Sequence, residues 1–136
     1  MSLNLTVVDH IAIAVPNIDE ALKFWENTLG VKCTGKETVE DQKVTTAFLP
    51  IKDTEIELLE PTSPDSTVAK ALEKNGGKSH LHHIAIRVDN LEAALAELEE
   101  KGVQLIDKKP RKGAGGALIA FVHPKASGIL LELSQR

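Results

Sequence analysis

Apolar and polar positions run in one pattern twice along this chain. Residues 10–22, HIAIAVPNIDEAL, and residues 83–95, HIAIRVDNLEAAL, agree at 8 of 13 positions at a spacing of 73 in a chain of 136 residues. Each copy opens with alternating β-branched and small side chains, the period of a half-buried strand, and then changes to a helical period. Asn17 and Asn90 stand at that change as N-caps, with Asp19, Glu20 and Glu92 in the first turn, and Gly30 and Gly102 stand where C-cap glycines belong. One helix carries the apolar stripe Ile18, Leu22, Trp25, Leu29, and the other carries Leu91, Leu95, Leu98.

The correspondence continues downstream. AFLPIK at 47–52 matches AFVHPK at 120–125 at the same spacing, and Glu57 in EIELL answers Glu132 in LLELS. Strands are predicted near 31–38, 43–49 and 54–60 in the first copy and near 103–108, 117–122 and 128–133 in the second. The unit is therefore βαβββ, present at about 7–61 and about 80–134, with a linker at about 62–79. In that linker PTSPDS leads into a short helix, Thr67 to Lys74, closed by Asn75, Gly76 and Gly77. Two copies make an internal duplication, since a stacked solenoid needs three or more. The expected class is α+β in one domain, 1–136, with the two modules curling around a shared metal-binding cavity.

Strand parity locates the candidate chemistry. Alternate residues face opposite sides of a sheet, so Ile11, Ile13 and Val15 pack beneath a helix while His10, Ala12 and Ala14 face away. In the second copy Ile84, Ile86 and Val88 oppose His83, Ala85 and Arg87. The same parity turns Glu57 away from Ile56 and Leu58, and Glu132 away from Leu131 and Leu133. Two His and two Glu thus fall on the faces without helices, where the neighbouring alanines leave room for something other than side chain. Buried carboxylates need a compensating partner, and a divalent cation shared by His10, Glu57, His83 and Glu132 is the economical one. His82 and Asp9 correspond to each other on the opposite face, and His123 corresponds to Pro50 at a turn; neither those two histidines nor His80 shares the pattern, and His82 and His123 read as structural.

Composition narrows the functions. A chain of 136 residues buries roughly 70% of its unfolded surface, enough for a real core. The net charge of -4 gives no reason to expect a nucleic-acid partner, and no apolar run is long enough to span a membrane. The start of the sequence has none of the basic and apolar regions of a secretory signal, so a cytoplasmic protein is expected. Cys33 is the one cysteine, which excludes an internal disulfide, and its place after a helix suggests packing. The basic run KKPRK at 108–112, ahead of a glycine loop, could meet a phosphate or carboxylate, but such a run is more often a solvated edge.

The tandem modules and the His, Glu, His, Glu set resemble the vicinal oxygen chelate superfamily, from Val8 to Leu133. Within it DHIAIAVPNIDEALKFW, TEIELLEPTSPDS, LHHIAIRVDNLEAAL and HPKASGILLEL resemble the methylmalonyl-CoA epimerase family. The resemblance implies an acyl-CoA substrate, a homodimer, and metal ligation by His10, Glu57, His83 and Glu132. Four N and O ligands leave two octahedral positions open for substrate oxygens, and Co, Mn, Ni or Zn would suit them. The implied reaction interconverts the C2 stereoisomers of methylmalonyl-CoA through a metal-stabilised enolate, with proton carriers on both faces. Glu132 is implied as one carrier and the loop at 40 and 41 as the source of the other, Asp41 ahead of Glu40.

Three rivals share the fold. A glyoxalase I-like lyase would use the same ligand classes on a glutathione hemithioacetal. An extradiol dioxygenase would use two His and one carboxylate, which the second Glu argues against. A non-enzymatic antibiotic-binding resistance protein would need an aromatic cleft, and this chain has three Phe, one Trp and no Tyr.

Overall fold

The strand at the start of the chain runs longer than any other. β1 spans Leu5–Ala14, and its two halves belong to different packing units. A computed structural model describes residues 3–136, which divide into a unit built from Ile11–His82 and a unit built from His83–Arg136 together with the chain up to His10.

In the unit of Ile11–His82, the end of β1 leads into α1 (Ile18–Leu22), then β2 (Gly35–Val39), β3 (Val44–Ile51), β4 (Thr54–Pro61) and α2 (Thr67–Lys74), with strand order β2-β3-β4-β1. Asn17 caps α1 as its pattern predicts, its Oδ1 accepting from the Glu20 amide at 2.9 Å. Antiparallel register sets Ala47 opposite Leu58 and Leu49 opposite Ile56. These four residues pack with Ile11, Ile13, Val15, Ile18, Leu22 and Trp25, as parity and the helical stripe require. Half-buried Cys33 also packs here, and its Sγ lies 3.4 Å from the Gly35 carbonyl oxygen.

Two expectations change in this unit. The helix widens to a π-helical turn over Lys23–Thr28, with the Leu29 amide bonding back to the Phe24 carbonyl at 3.0 Å. The extra residue in that turn rotates the end of the helix off the stripe, so Leu29 is 54% exposed and Val31 joins the core in its place. On the other side of the sheet, Ala12 and Ala14 do not border open space. They pack with Val44 and Leu59 against Val68 and Leu72 of α2, so their small size admits a helix. Ser66 caps α2 by accepting from the Ala69 amide at 2.9 Å.

In the other unit the strand order is β1-β5-β8-β7-β6, from β5 (His80–Val88), β6 (Arg111–Lys112), β7 (Leu118–Val122) and β8 (Leu131–Gln135). β5 runs parallel to β8, and β7 antiparallel to it. Helix α3 (Leu91–Glu100) is capped by Asn90, whose Oδ1 accepts from the Ala93 amide at 3.0 Å. Leu91, Ala94, Leu95 and Leu98 lie on Ile86, Val88, Ala120, Val122 and Leu133. Gly102, at φ 81, adopts the left-handed conformation that closes the helix.

The strand expected near 103–108 does not form. Leu105 makes a single bridge to Val122, and beyond it the Asp107 carboxylate accepts from the Phe121 amide at 2.9 Å, a place a backbone carbonyl would take in a ladder. The third outer strand is instead the two-residue β6, just after Pro110, which has no amide to donate. Among the described residues no helix is long and apolar enough to cross a membrane.

Candidate metal centre

Three of the four residues that parity singled out converge within the unit of β5 and β8. His10 comes from β1, His83 from β5 and Glu132 from β8, and they are only 5%, 6% and 3% exposed. The Nε2 atoms of His10 and His83 are 3.2 Å apart. His83 Nε2 lies 3.1 Å from Glu132 Oε1, and His10 Nε2 lies 3.4 Å from Glu132 Oε2. Register explains the meeting: β5 and β8 run in parallel with Ala85 beside Glu132, which puts the carboxylate next to His83.

These distances fit a shared divalent ion. Ligand atoms about 2.1 Å from one centre are separated by about 3.0 Å at a right angle and about 3.4 Å at a tetrahedral angle. The 3.2 Å between the imidazoles, and the 3.1 and 3.4 Å from each imidazole to its own oxygen of Glu132, fall in that span. Glu132 Oε2 is buried without a hydrogen bond among the described residues, a costly state for a carboxylate oxygen that cation ligation relieves. The donor set of two imidazole nitrogens and a carboxylate suits a borderline ion such as Zn, Co, Ni or Mn.

The surroundings hold the candidate ligands in place. The ring of Phe121, the register partner of Glu132, meets His83 edge to face at 5.1 Å. The guanidinium of Arg111 lies over the Phe121 ring, 5.6 Å from its centroid, and its Nε is 3.3 Å from Asp107. One member of the basic run is thus packed onto the aromatic wall of the site.

Asp9, placed by alternation on the opposite face, is the residue that sequence reasoning missed. Its carboxylate accepts from His10 Nδ1 at 2.7 Å, Arg87 Nε at 2.9 Å, Arg136 Nε at 2.9 Å and Arg136 Nη2 at 3.0 Å. Arg87 alternates in phase with His83 and Arg136 with Glu132, so Asp9 reaches the side of the sheet that carries the ligands. Packed among Ile11 and Ile13 instead, the charge would have no such compensation. Burial opposes its ionisation, but the hydrogen bonds from His10, Arg136 and Arg87 outweigh that and hold its carboxyl well below the usual carboxylate range. Burial also opposes ionisation of Glu132, yet the His10 and His83 imidazoles against its carboxylate lower its pKa to about 2. The signal for Asp9 was in the sequence as the dipeptide Asp9-His10.

The remaining candidates lie in the other unit. Glu57 is 3% exposed on β4, opposite Phe48 and on the face away from α1. Asp41 and Glu40 are exposed in a 3-10 turn, Glu40–Gln42, between β2 and β3. His80 and His123 meet nearby backbone, the Lys78 carbonyl at 3.2 Å and the Lys125 amide at 3.0 Å.

Residues 9–121 match the glyoxalase/bleomycin resistance protein/dioxygenase superfamily, and the chain belongs to it. The chain is 38% identical to human mitochondrial methylmalonyl-CoA epimerase, over 97% of its own length and 75% of the relative's. It is 39% identical to the ethylmalonyl-CoA/methylmalonyl-CoA epimerase of Cereibacter sphaeroides, over 94% and 96%. A Streptomyces coelicolor methylmalonyl-CoA epimerase variant in complex with 2-nitronate-propionyl-CoA superposes with a TM-score of 0.92 at 39% identity, covering 97% of this chain and 95% of that one. Within the superfamily, the chain falls with the methylmalonyl-CoA epimerases.

Proposed function

We propose that the chain interconverts the C2 stereoisomers of methylmalonyl-CoA with one divalent ion held by His10, Glu57, His83 and Glu132. The observation that carries this reading is the buried meeting of His10, His83 and Glu132 at ligand spacing. Likeness to epimerases over nearly the whole chain supports the substrate. Glu57 joins the set because it stands in the first copy where Glu132 stands in the second.

The C2 hydrogen of a methylmalonyl thioester lies between a thioester carbonyl and a carboxylate, and its removal places negative charge on oxygen. The ion would supply Lewis acidity at that oxygen. The chain's residues do the rest. Two glutamates and a divalent ion sum to no formal charge, so the site does not repel an anionic substrate. Glu132, ionised at neutral pH, can take the proton from C2 on one face. Asp41 then delivers a proton to the other face, with Glu40 as the neighbouring carboxylate in the same turn.

Assaying the metal-loaded protein with methylmalonyl-CoA and with the hemithioacetal of methylglyoxal and glutathione tests this. Turnover of the thioester alone is expected. Turnover of the hemithioacetal alone would overturn the reading in favour of a glyoxalase-type lyase.

A further inference from the structure

We propose that Asp9 is the positioning residue of this centre. Its carboxylate fixes His10 in the tautomer that turns a bare Nε2 toward His83 and Glu132, and Arg87 and Arg136 brace that carboxylate from the two strands that supply the other ligands. The inference rests on the ligand reading of His10 and adds a role that the ligand set does not contain.

A neutral imidazole carries one ring proton, and a metal ligand must present the nitrogen without it. His10 Nδ1 is 2.7 Å from Asp9 Oδ1. A carboxylate paired with two guanidiniums accepts and does not donate, so this contact places the ring proton on Nδ1 and leaves the Nε2 lone pair for ligation. Unrestrained, the ring could carry its proton on Nε2 and block the ligand atom.

Placement extends the role beyond one ring. Arg87 is four residues beyond His83 on β5, and Arg136 is four beyond Glu132 at the end of β8, each in phase with the ligand of its strand. Arg87 donates through Nε at 2.9 Å, and Arg136 donates through Nε and Nη2 at 2.9 and 3.0 Å, a two-point grip that fixes direction as well as distance. One carboxylate, with no side-chain exposure, is therefore tied to all three ligand-bearing strands. A shift of β5 or β8 that separated His83 from Glu132 would also pull on Asp9 and turn His10.

Two measurements test this. Long-range proton–nitrogen NMR correlations of the histidine rings in the metal-free wild type should show the His10 proton on Nδ1; a proton on Nε2 would overturn the proposal without any variant. Competition with a chelator should show that Asp9→Ala binds cobalt(II) about 10- to 100-fold more weakly than wild type, the scale of losing such an outer partner. Asp9→Asn, which keeps an acceptor oxygen, should recover part of that loss and retain the Nδ1 proton, an outcome that merely structural damage does not produce. Should Asp9→Ala not fold, the wild-type tautomer and the Asp9→Asn affinity decide the matter. A folded Asp9→Ala with cobalt(II) affinity within about twofold of wild type would sink this inference alone. Failure of the wild type to bind cobalt(II) would sink the ligand assignment of His10 and the inference together.

Discussion

His10 and His83, separated by 73 residues of sequence, face each other through Nε2 atoms 3.2 Å apart. Two like nitrogens at that distance, with Glu132 completing the group, leave lone pairs pointing at one another unless a cation or a proton lies between. The isolated protein is accordingly expected to hold about one divalent ion per chain, bound by deprotonated ligands. His83→Ala should reduce elemental analysis to near zero ions per chain. Full occupancy in that variant would contradict the assignment.

The roles proposed for the two proton carriers separate under isotope labelling. Product formed in heavy water should carry solvent deuterium at C2, because the group that delivers the proton differs from the one that removed it. Asp41→Asn should lower epimerisation by about 10²- to 10⁴-fold while metal stays bound. Glu132→Ala should lose both activity and metal. Near-full activity in Asp41→Asn with loss in Glu40→Gln would move the assignment by one residue.

The wide turn after α1 makes a contrast between two apolar residues. Ile18 is 2% exposed, so Ile18→Ala should cost about 2–5 kcal/mol of stability. Leu29 is 54% exposed, and Leu29→Ala should stay within about 0.5 kcal/mol. Urea denaturation of the two variants measures both, and equal losses would mean that the ideal helical stripe holds in solution.

Asn90 begins the helix that covers the core beneath the ligand strands. Replacing it by Ala removes the acceptor of the Ala93 amide and should cost about 1 kcal/mol, whereas Asn90→Asp should be close to neutral. Thermal melts that rank the two variants the other way would show that the cap is not what holds the first turn.

The fold and the meeting of three candidate residues were legible because they depend on periodicity. Parity alone put His10, His83 and Glu132 on the faces opposite α1 and α3, and the three do meet there, although α2 also packs on the His10 face. The misreadings share another cause. Leu29 leaves its stripe because one turn closes its hydrogen bonds over five residues, Asp107 supplies with a side chain what a strand supplies with backbone, and Asp9 crosses to the ligand side because two guanidiniums receive it there. Each depends on which atom satisfies a particular donor or acceptor. A count of apolar positions carries no such information. The alanines show a further gap: small residues announce close packing, and the sequence does not say whether a ligand or a helix will do the packing.

The brevity of β6 has a consequence for life at high protein concentration. A long outer strand offers a row of unused amides and carbonyls on which another molecule can grow a sheet. Here the row is two residues long, both are cations, and a proline precedes them. Arg111, which lies over the aromatic wall of the centre, and its neighbour Lys112 thus also discourage ribbon-like self-association at that edge.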